Sequence, residues 1–102
     1  MEPIVKGVLK EELERALSLR GKYEKKLKEY PPGYLLARKV QSKVYYYLSF
    51  REKDRIKQKY LGPLSPDVLK DYQKKIENKK ELRRQLADVK RNIRYLERLL
   101  RK

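Results

Sequence analysis

The chain contains no cysteine, no histidine and no tryptophan, and it has only one methionine and one phenylalanine among 102 residues. Without cysteine no disulfide can form, and without cysteine or histidine the usual zinc ligand sets are excluded. Histidine is also the side chain most often used for general acid–base catalysis near neutral pH. We therefore expect no metal and no cofactor.

Motifs that would indicate an enzyme are also missing from the sequence. There is no G-x-x-x-x-G-K-[ST] phosphate loop, no G-x-S-x-G nucleophile turn and no pair of carboxylates on a buried strand. We therefore expect a protein that is not an enzyme and that has no small-molecule substrate.

Acidic residues are scarce relative to basic ones. The chain has 14 Asp and Glu against 29 Lys and Arg, which leaves a formal net charge of +15. An excess of this size indicates a polyanionic partner, and we expect nucleic acid, DNA rather than RNA. A generic solvated basic surface, a protein-directed role and an anionic membrane are the alternatives.

Long apolar runs are absent too. No stretch approaches the roughly 20 apolar residues of a membrane span, and the N-terminal MEPIVKGVLKEELE lacks the apolar core of a signal peptide. We expect an intracellular, cytoplasmic protein. The lack of cysteine and the wealth of Lys, Glu and Arg are typical of a thermophile.

The apolar pattern predicts an α+β fold that is mostly helical, in a single domain over 1–102. We expect a tail at 1–7, a helix at 8–30, a three-stranded antiparallel meander at 34–61 and a long helix at 66–101. Apolar residues of the first helix recur at steps of four and three, with Arg20 in the one seam position that is not apolar: Leu9, Leu13, Ala16, Tyr23, Leu27 and Tyr30. Pro31-Pro32 ends this helix.

The meander consists of three runs rich in β-branched and aromatic residues. A two-residue turn at Lys53-Asp54 would place Glu52 opposite Arg55 and Phe50 opposite Lys57. After the sheet, Ser65 is the predicted N-cap of the long helix and Pro66 its first residue.

The long helix has an apolar seam with four-three spacing: Leu82, Leu86, Val89, Ile93, Leu96 and Leu100. The spacing slips around Lys79. We expect the two helices to form an antiparallel hairpin or coiled coil. The first helix is shorter, so either the long helix bends or its uncovered seam meets a second subunit in a homodimer.

A basic stripe lies roughly opposite this seam on the long helix. Its members are Lys80, Arg84, Arg91, Arg94, Arg98 and Arg101. Most acids of the segment lie off this line, which favours a phosphate-binding face over a merely solvated one.

The ribbon formed by the meander is the second candidate surface. Its candidate residues are aromatic or basic: Tyr45, Tyr47, Arg51, Arg55, Lys57 and Lys59. A basic, aromatic β-surface can enter a DNA groove or stack single-stranded bases. The alternative is that the tyrosines only cover a half-buried sheet.

The segments YYYLSFRE, from Tyr45, and KQKYLG, from Lys57, resemble the YYYLxxRExGKxKxKYLG pattern of a family of short uncharacterised prokaryotic proteins. They are also similar to a hairpin of transposases and of the arm-binding N-terminal domains of phage-type integrases, whose three-stranded sheet inserts into the DNA major groove. The resemblance covers about 30 residues and implies DNA-facing roles for Arg51, Arg55, Lys57 and Lys59. Lys53-Asp54 stands where the pattern usually has Gly-Gly.

These observations predict a nucleic-acid-binding accessory protein that contacts phosphates through the stripe and the ribbon. The alternative is a protein-interaction or oligomerisation module that uses the apolar seam of the long helix.

Overall fold

The computed structural model describes residues 2–102. Along the chain lie helix α1 (Pro3–Leu27), strands β1 (Tyr34–Val40), β2 (Lys43–Glu52) and β3 (Arg55–Gly62), and helix α2 (Pro66–Arg101). This is the predicted α+β, mostly helical fold, with the three-stranded antiparallel sheet between two helices along the chain.

Helix α1 begins at Pro3, so the tail predicted for 1–7 is wrong in its described part. Pro3 sits in the first helical turn, where its fixed φ suits a helix and its missing N–H costs no hydrogen bond. The bond from the Lys6 N–H to the Glu2 carbonyl, 2.9 Å, closes that turn. The helix ends at Leu27 rather than Tyr30, because Tyr30 precedes a proline and the last N–H groups form tighter i to i−3 bonds at Lys28 and Glu29.

The sheet has strand order β1-β2-β3. Its β2–β3 register places Glu52 opposite Arg55 and Phe50 opposite Lys57, which confirms the predicted two-residue turn. Lys53 begins that turn with a φ of 55°, in the left-handed region that glycine adopts more easily.

The first hairpin turn also has only two residues. Lys43 belongs to β2 and pairs with Val40, so the turn is Gln41-Ser42 alone. Gln41 has a φ of 59°. This two-residue turn fixes the register of β1 on β2.

Helix α2 begins as the sequence predicted. The Val68 N–H donates to the Ser65 hydroxyl oxygen at 3.3 Å, so Ser65 caps the helix ahead of Pro66. The acid Asp67 lies in the first turn, where the helix dipole favours negative charge.

The chain divides into two compact units. The helical unit contains residues 1–29 and 80–102, and the sheet unit contains Tyr30–Lys79. In the helical unit Ala16 of α1 is buried with Ile93 and Leu96 of α2, and Leu9, Leu13 and Val89 pack against them. The predicted packing of the two helices on one another is confirmed there.

In the sheet unit the central strand is the most deeply buried element. Leu48 is 6 % exposed and Ser49 is 1 % exposed. Lys79, the residue at which the helical spacing slips, is also buried, and its ammonium donates to the Pro31 carbonyl oxygen at 2.8 Å.

Within the described part of the chain, neither helix combines the length and the apolar character needed to cross a bilayer.

Candidate nucleic-acid interface

The register of the sheet assigns each strand residue to one of two faces. Directly paired residues in an antiparallel sheet point to the same side, and neighbours along a strand alternate. Leu36, Tyr47 and Tyr60 are paired in this way across the three strands. Arg38 pairs with Tyr45 on the same side. We call this side the tyrosine face and the opposite side, which carries Leu48, the leucine face.

This assignment separates the predicted ribbon residues into two groups. Tyr45, Tyr47 and Arg51 lie on the tyrosine face. The basic residues of β3 lie on the leucine face, opposite residues of β2 on that same side: Arg55 opposite Glu52, Lys57 opposite Phe50 and Lys59 opposite Leu48. The six predicted ribbon residues therefore do not form one surface.

One of the leucine-face cations is already paired within the sheet. The Lys57 ammonium lies 3.0 Å from the Glu52 carboxylate, across the β2–β3 hairpin. Both side chains are about half exposed, so this ion pair adds little to stability. It does lower the net positive charge that this end of the leucine face offers to a phosphate.

Three tyrosines on the tyrosine face form an aromatic cluster. The ring centroids of Tyr47 and Tyr60 are 5.2 Å apart with an interplanar angle of 52°. Those of Tyr45 and Tyr60 are 6.4 Å apart at 35°. The Arg38 guanidinium carbon lies 5.2 Å from the Tyr47 ring centroid, a cation–π geometry.

Much of the tyrosine face is open to solvent. Tyr60 is 56 % exposed, Tyr34 is 55 % exposed and Ile56 is 69 % exposed. Tyr45 and Tyr47 are half-buried. An exposed aromatic surface of this kind is accessible to a ligand, whereas the half-buried Tyr45 and Tyr47 also fit the alternative that the tyrosines cover the sheet.

Tyr60 and Arg38 were not among the predicted site residues. The predicted turn at Lys53-Asp54 already implies that Tyr60 lies opposite Tyr47, so the signal for Tyr60 was present in the sequence. The same register also implies the position of Lys57 on the other face. Arg38 could be placed only with the β1–β2 register, which depends on Lys43 being a strand residue rather than a turn residue.

The basic stripe of α2 lies entirely in the helical unit. All its members are exposed and follow one side of the helix: Lys80, Arg84, Arg91, Arg94, Arg98 and Arg101. Arg91, Arg94, Arg98 and Arg101 line a shallow depression together with Glu97.

Two stripe arginines are paired with acids one turn earlier on the same helix. Arg84 lies 2.7 Å from Glu81, and Arg91 pairs with Asp88. The hydrogen bond to Glu81 and then the negative charge of Glu81 raise the pKa of Arg84. Exposed pairs of this kind exchange readily with other anions, because each contributes little free energy.

The apolar seam of α2 is covered within the single chain. Leu82, Leu86 and Leu96 are each 6 % exposed and Ile93 is 3 % exposed. Val89 and Leu100 are half-buried. A second molecule could reach these side chains only if the helical unit opened, which weakens the interpretation of the seam as a docking surface.

A protein-family model described as a domain of unknown function (DUF6788) matches residues 9–71. No curated protein matches the chain. No solved structure matches it either. The matched segment includes the whole sheet and therefore the tyrosine face, whereas the basic stripe and the seam lie beyond it.

Proposed function

We propose that this chain, which belongs to the DUF6788 family of unknown function, is an intracellular nucleic-acid-binding accessory protein without catalytic activity. Its ligand on this proposal is DNA rather than RNA. The observation that carries the proposal is the partly exposed cluster of Tyr45, Tyr47 and Tyr60 beside Arg38, in a chain whose net charge is +15.

Charge supports a nucleic-acid ligand for the basic stripe. Six exposed cations at helical spacing suit a row of phosphates, and each phosphate they neutralise releases condensed counterions. Arginine also binds phosphate oxygens with two N–H groups at once. Contacts of this type fix the position of a nucleic acid without reading its sequence, so we propose largely sequence-independent binding.

The ribbon's role differs from the one that the integrase-like hairpin implies. Arg51 shares the tyrosine face with the aromatic cluster, whereas Arg55, Lys57 and Lys59 point to the other side. On our proposal the tyrosine face, not the β3 cations, is the part of the ribbon that contacts the ligand.

Charge reversal on the stripe tests the proposal. The triple variant Arg94→Glu, Arg98→Glu, Arg101→Glu should weaken binding of a short DNA duplex by at least about tenfold at low salt, because several phosphate contacts are replaced by repulsion. Fluorescence anisotropy with a labelled duplex measures the effect. Circular dichroism checks that the helix persists.

The matched control reverses three exposed cations of α1: Lys6→Glu, Lys10→Glu and Arg15→Glu. It changes the net charge by the same amount. Because Arg15→Glu also removes the exposed Arg15–Glu12 ion pair, circular dichroism checks that α1 persists in this variant too. We expect it to weaken binding several-fold less than the stripe variant. Equal losses in the two variants would mean that the stripe is not the binding surface, and no loss in either would contradict the proposal.

The alternative function, a protein-interaction or oligomerisation module, has less support than nucleic-acid binding. Because the seam is covered, a homodimer would have to use other apolar side chains, and the most exposed one of the helical unit, Ile4, lies near the start of α1. Ile4 is 77 % exposed and Val8, one turn later, is 53 % exposed. We place any contact between two copies of the chain at these residues.

A further inference from the structure

We infer that the tyrosine face binds the unpaired bases of a single-stranded nucleic acid by stacking. This inference rests on the proposed function and deepens it, because it specifies which form of nucleic acid one of the two surfaces takes. It also departs from insertion into the major groove of a duplex, the role that the hairpin resemblance implies.

The first support is the geometry of the rings. The Tyr60 ring centroid lies 6.4 Å from that of Tyr45 and 5.2 Å from that of Tyr47, and its plane is tilted from theirs by 35° and 52°. Because the Tyr60 ring is parallel to neither neighbour, neither covers its flat face completely. The Tyr60 side chain, which is 56 % exposed, therefore offers a ring on which a base can stack, and every base has a π-face that suits such a contact.

The second support is the apolar surface around the cluster. Tyr34, Val40 and Ile56 belong to the same face and are 55 %, 56 % and 69 % exposed. A chain with so few apolar residues gains nothing in stability by exposing them. They suit the flat surface of a base far better than they suit a phosphate or the polar edge of a base pair.

The third support is the charge of the same face. Arg38, Lys43 and Arg51 lie on it, and no Asp or Glu occupies it among the described strand residues. Cations that border stacked aromatic rings can hold the phosphates of the strand whose bases stack. Arg38 already lies over the Tyr47 ring and can add a cation–π contact.

These features favour a single strand over a duplex. In a duplex the base faces are stacked on each other, and the accessible groups are the base edges, whose main apolar part is the thymine methyl group, and a row of phosphates. A duplex therefore offers no base face to the exposed rings and little apolar surface to Ile56. An unpaired strand offers both bases and phosphates, so it complements all three features of the face.

The experiment measures the affinity of the full chain for three probes of equal length. They are an oligothymidine, the same strand annealed to its complement, and a strand of abasic sites. Fluorescence anisotropy at low salt gives each affinity. We expect the oligothymidine to bind about tenfold more tightly than the abasic strand, since stacking is lost without bases.

Tyr60→Ala should weaken oligothymidine binding about tenfold and duplex binding by much less, because a duplex offers the ring no unpaired base face. Tyr60→Phe should preserve it, because the ring is kept. Tyr95→Ala is the matched control: Tyr95 is 53 % exposed on α2, outside the sheet, and its ring centroid lies 6.0 Å from the guanidinium carbon of the stripe residue Arg98, so any effect should fall on both probes alike. We expect this variant to leave the ratio of single-strand to duplex affinity unchanged.

Two results overturn the inference while the proposed function stands. One is that the abasic strand binds as tightly as oligothymidine. The other is that the Tyr60→Ala variant, with an unchanged circular dichroism spectrum, weakens single-strand and duplex binding by the same factor or weakens neither of them. If no probe binds at low salt, the proposed function itself fails, and the inference fails with it.

Discussion

Gly33 is the residue at which the fold depends most on the absence of a side chain. Its φ is +75°, and a Cβ placed on it would overlap the backbone carbonyl of Ser49 in the central strand. Both the left-handed backbone and the close approach require glycine. The entry into the sheet is therefore fixed by this residue.

Gly33→Ala should lower the free energy of unfolding by roughly 2 kcal/mol or more, because backbone strain and a clash with a paired strand add up. Urea unfolding followed by circular dichroism measures it. Gly21→Ala is the control: Gly21 lies inside α1 with nothing within 4 Å of its Cβ position. That variant should gain about 0.5–1 kcal/mol. A Gly33→Ala protein as stable as the parent would contradict the described entry into the sheet.

The burial of Lys79 is a feature that could not be predicted from the sequence. The slip in spacing at Lys79 is visible in the sequence, but its burial is not, because lysine is rarely buried unless it has a partner. That partner is the Pro31 carbonyl, 48 positions earlier. A pairing over such a distance depends on tertiary structure and leaves no local signal.

At the scale of elements, periodicity made most of the fold predictable. The seam of α2 repeats at four-three spacing, and its buried members are the ones that the spacing selects, such as Leu86 and Ile93. The register between β2 and β3 follows from the residues of the turn that joins them, and the start of α2 follows from its N-cap residue. The predicted start of α1 is wrong because a proline fits the first turn of a helix as well as a tail, so Pro3 by itself does not locate the start of the helix.

The seam gives a prediction about α2 as an element. Ile93→Ala should lower the free energy of unfolding by about 2–4 kcal/mol, since Ile93 is 3 % exposed and packs with Ala16 and Leu96. Denaturant unfolding measures this. The mass in solution, from light scattering, should not change.

The free energy of unfolding and the mass in solution together show whether the seam is a core within one chain or a contact between subunits. If the seam were the contact between subunits, Ile93→Ala would change the mass in solution more than the stability of each chain. A loss of less than about 0.5 kcal/mol would show that Ile93 is not buried as described. Tyr95→Ala, two positions along and exposed, is the control and should cost little.

At the scale of the whole molecule the dominant fact is the net charge of +15. Charges of one sign repel and oppose a compact state, so a polyanion that neutralises them also relieves that repulsion. Our proposal assigns the contact with that polyanion to two surfaces, the basic stripe in the helical unit and the tyrosine face in the sheet unit. The composition predicts a negatively charged partner, whereas assigning the strand residues to the two faces of the sheet required the sheet register.

The most direct test of nucleic-acid binding is therefore the affinity of the unaltered chain for DNA across a salt series. With about six phosphates neutralised, the slope of log affinity against log salt should be about −5, and the affinity should fall by roughly a thousandfold between about 50 and 200 mM salt. Fluorescence anisotropy at each salt concentration provides the measurement. Binding that is undetectable at low salt, or an affinity that does not change with salt, would contradict the account.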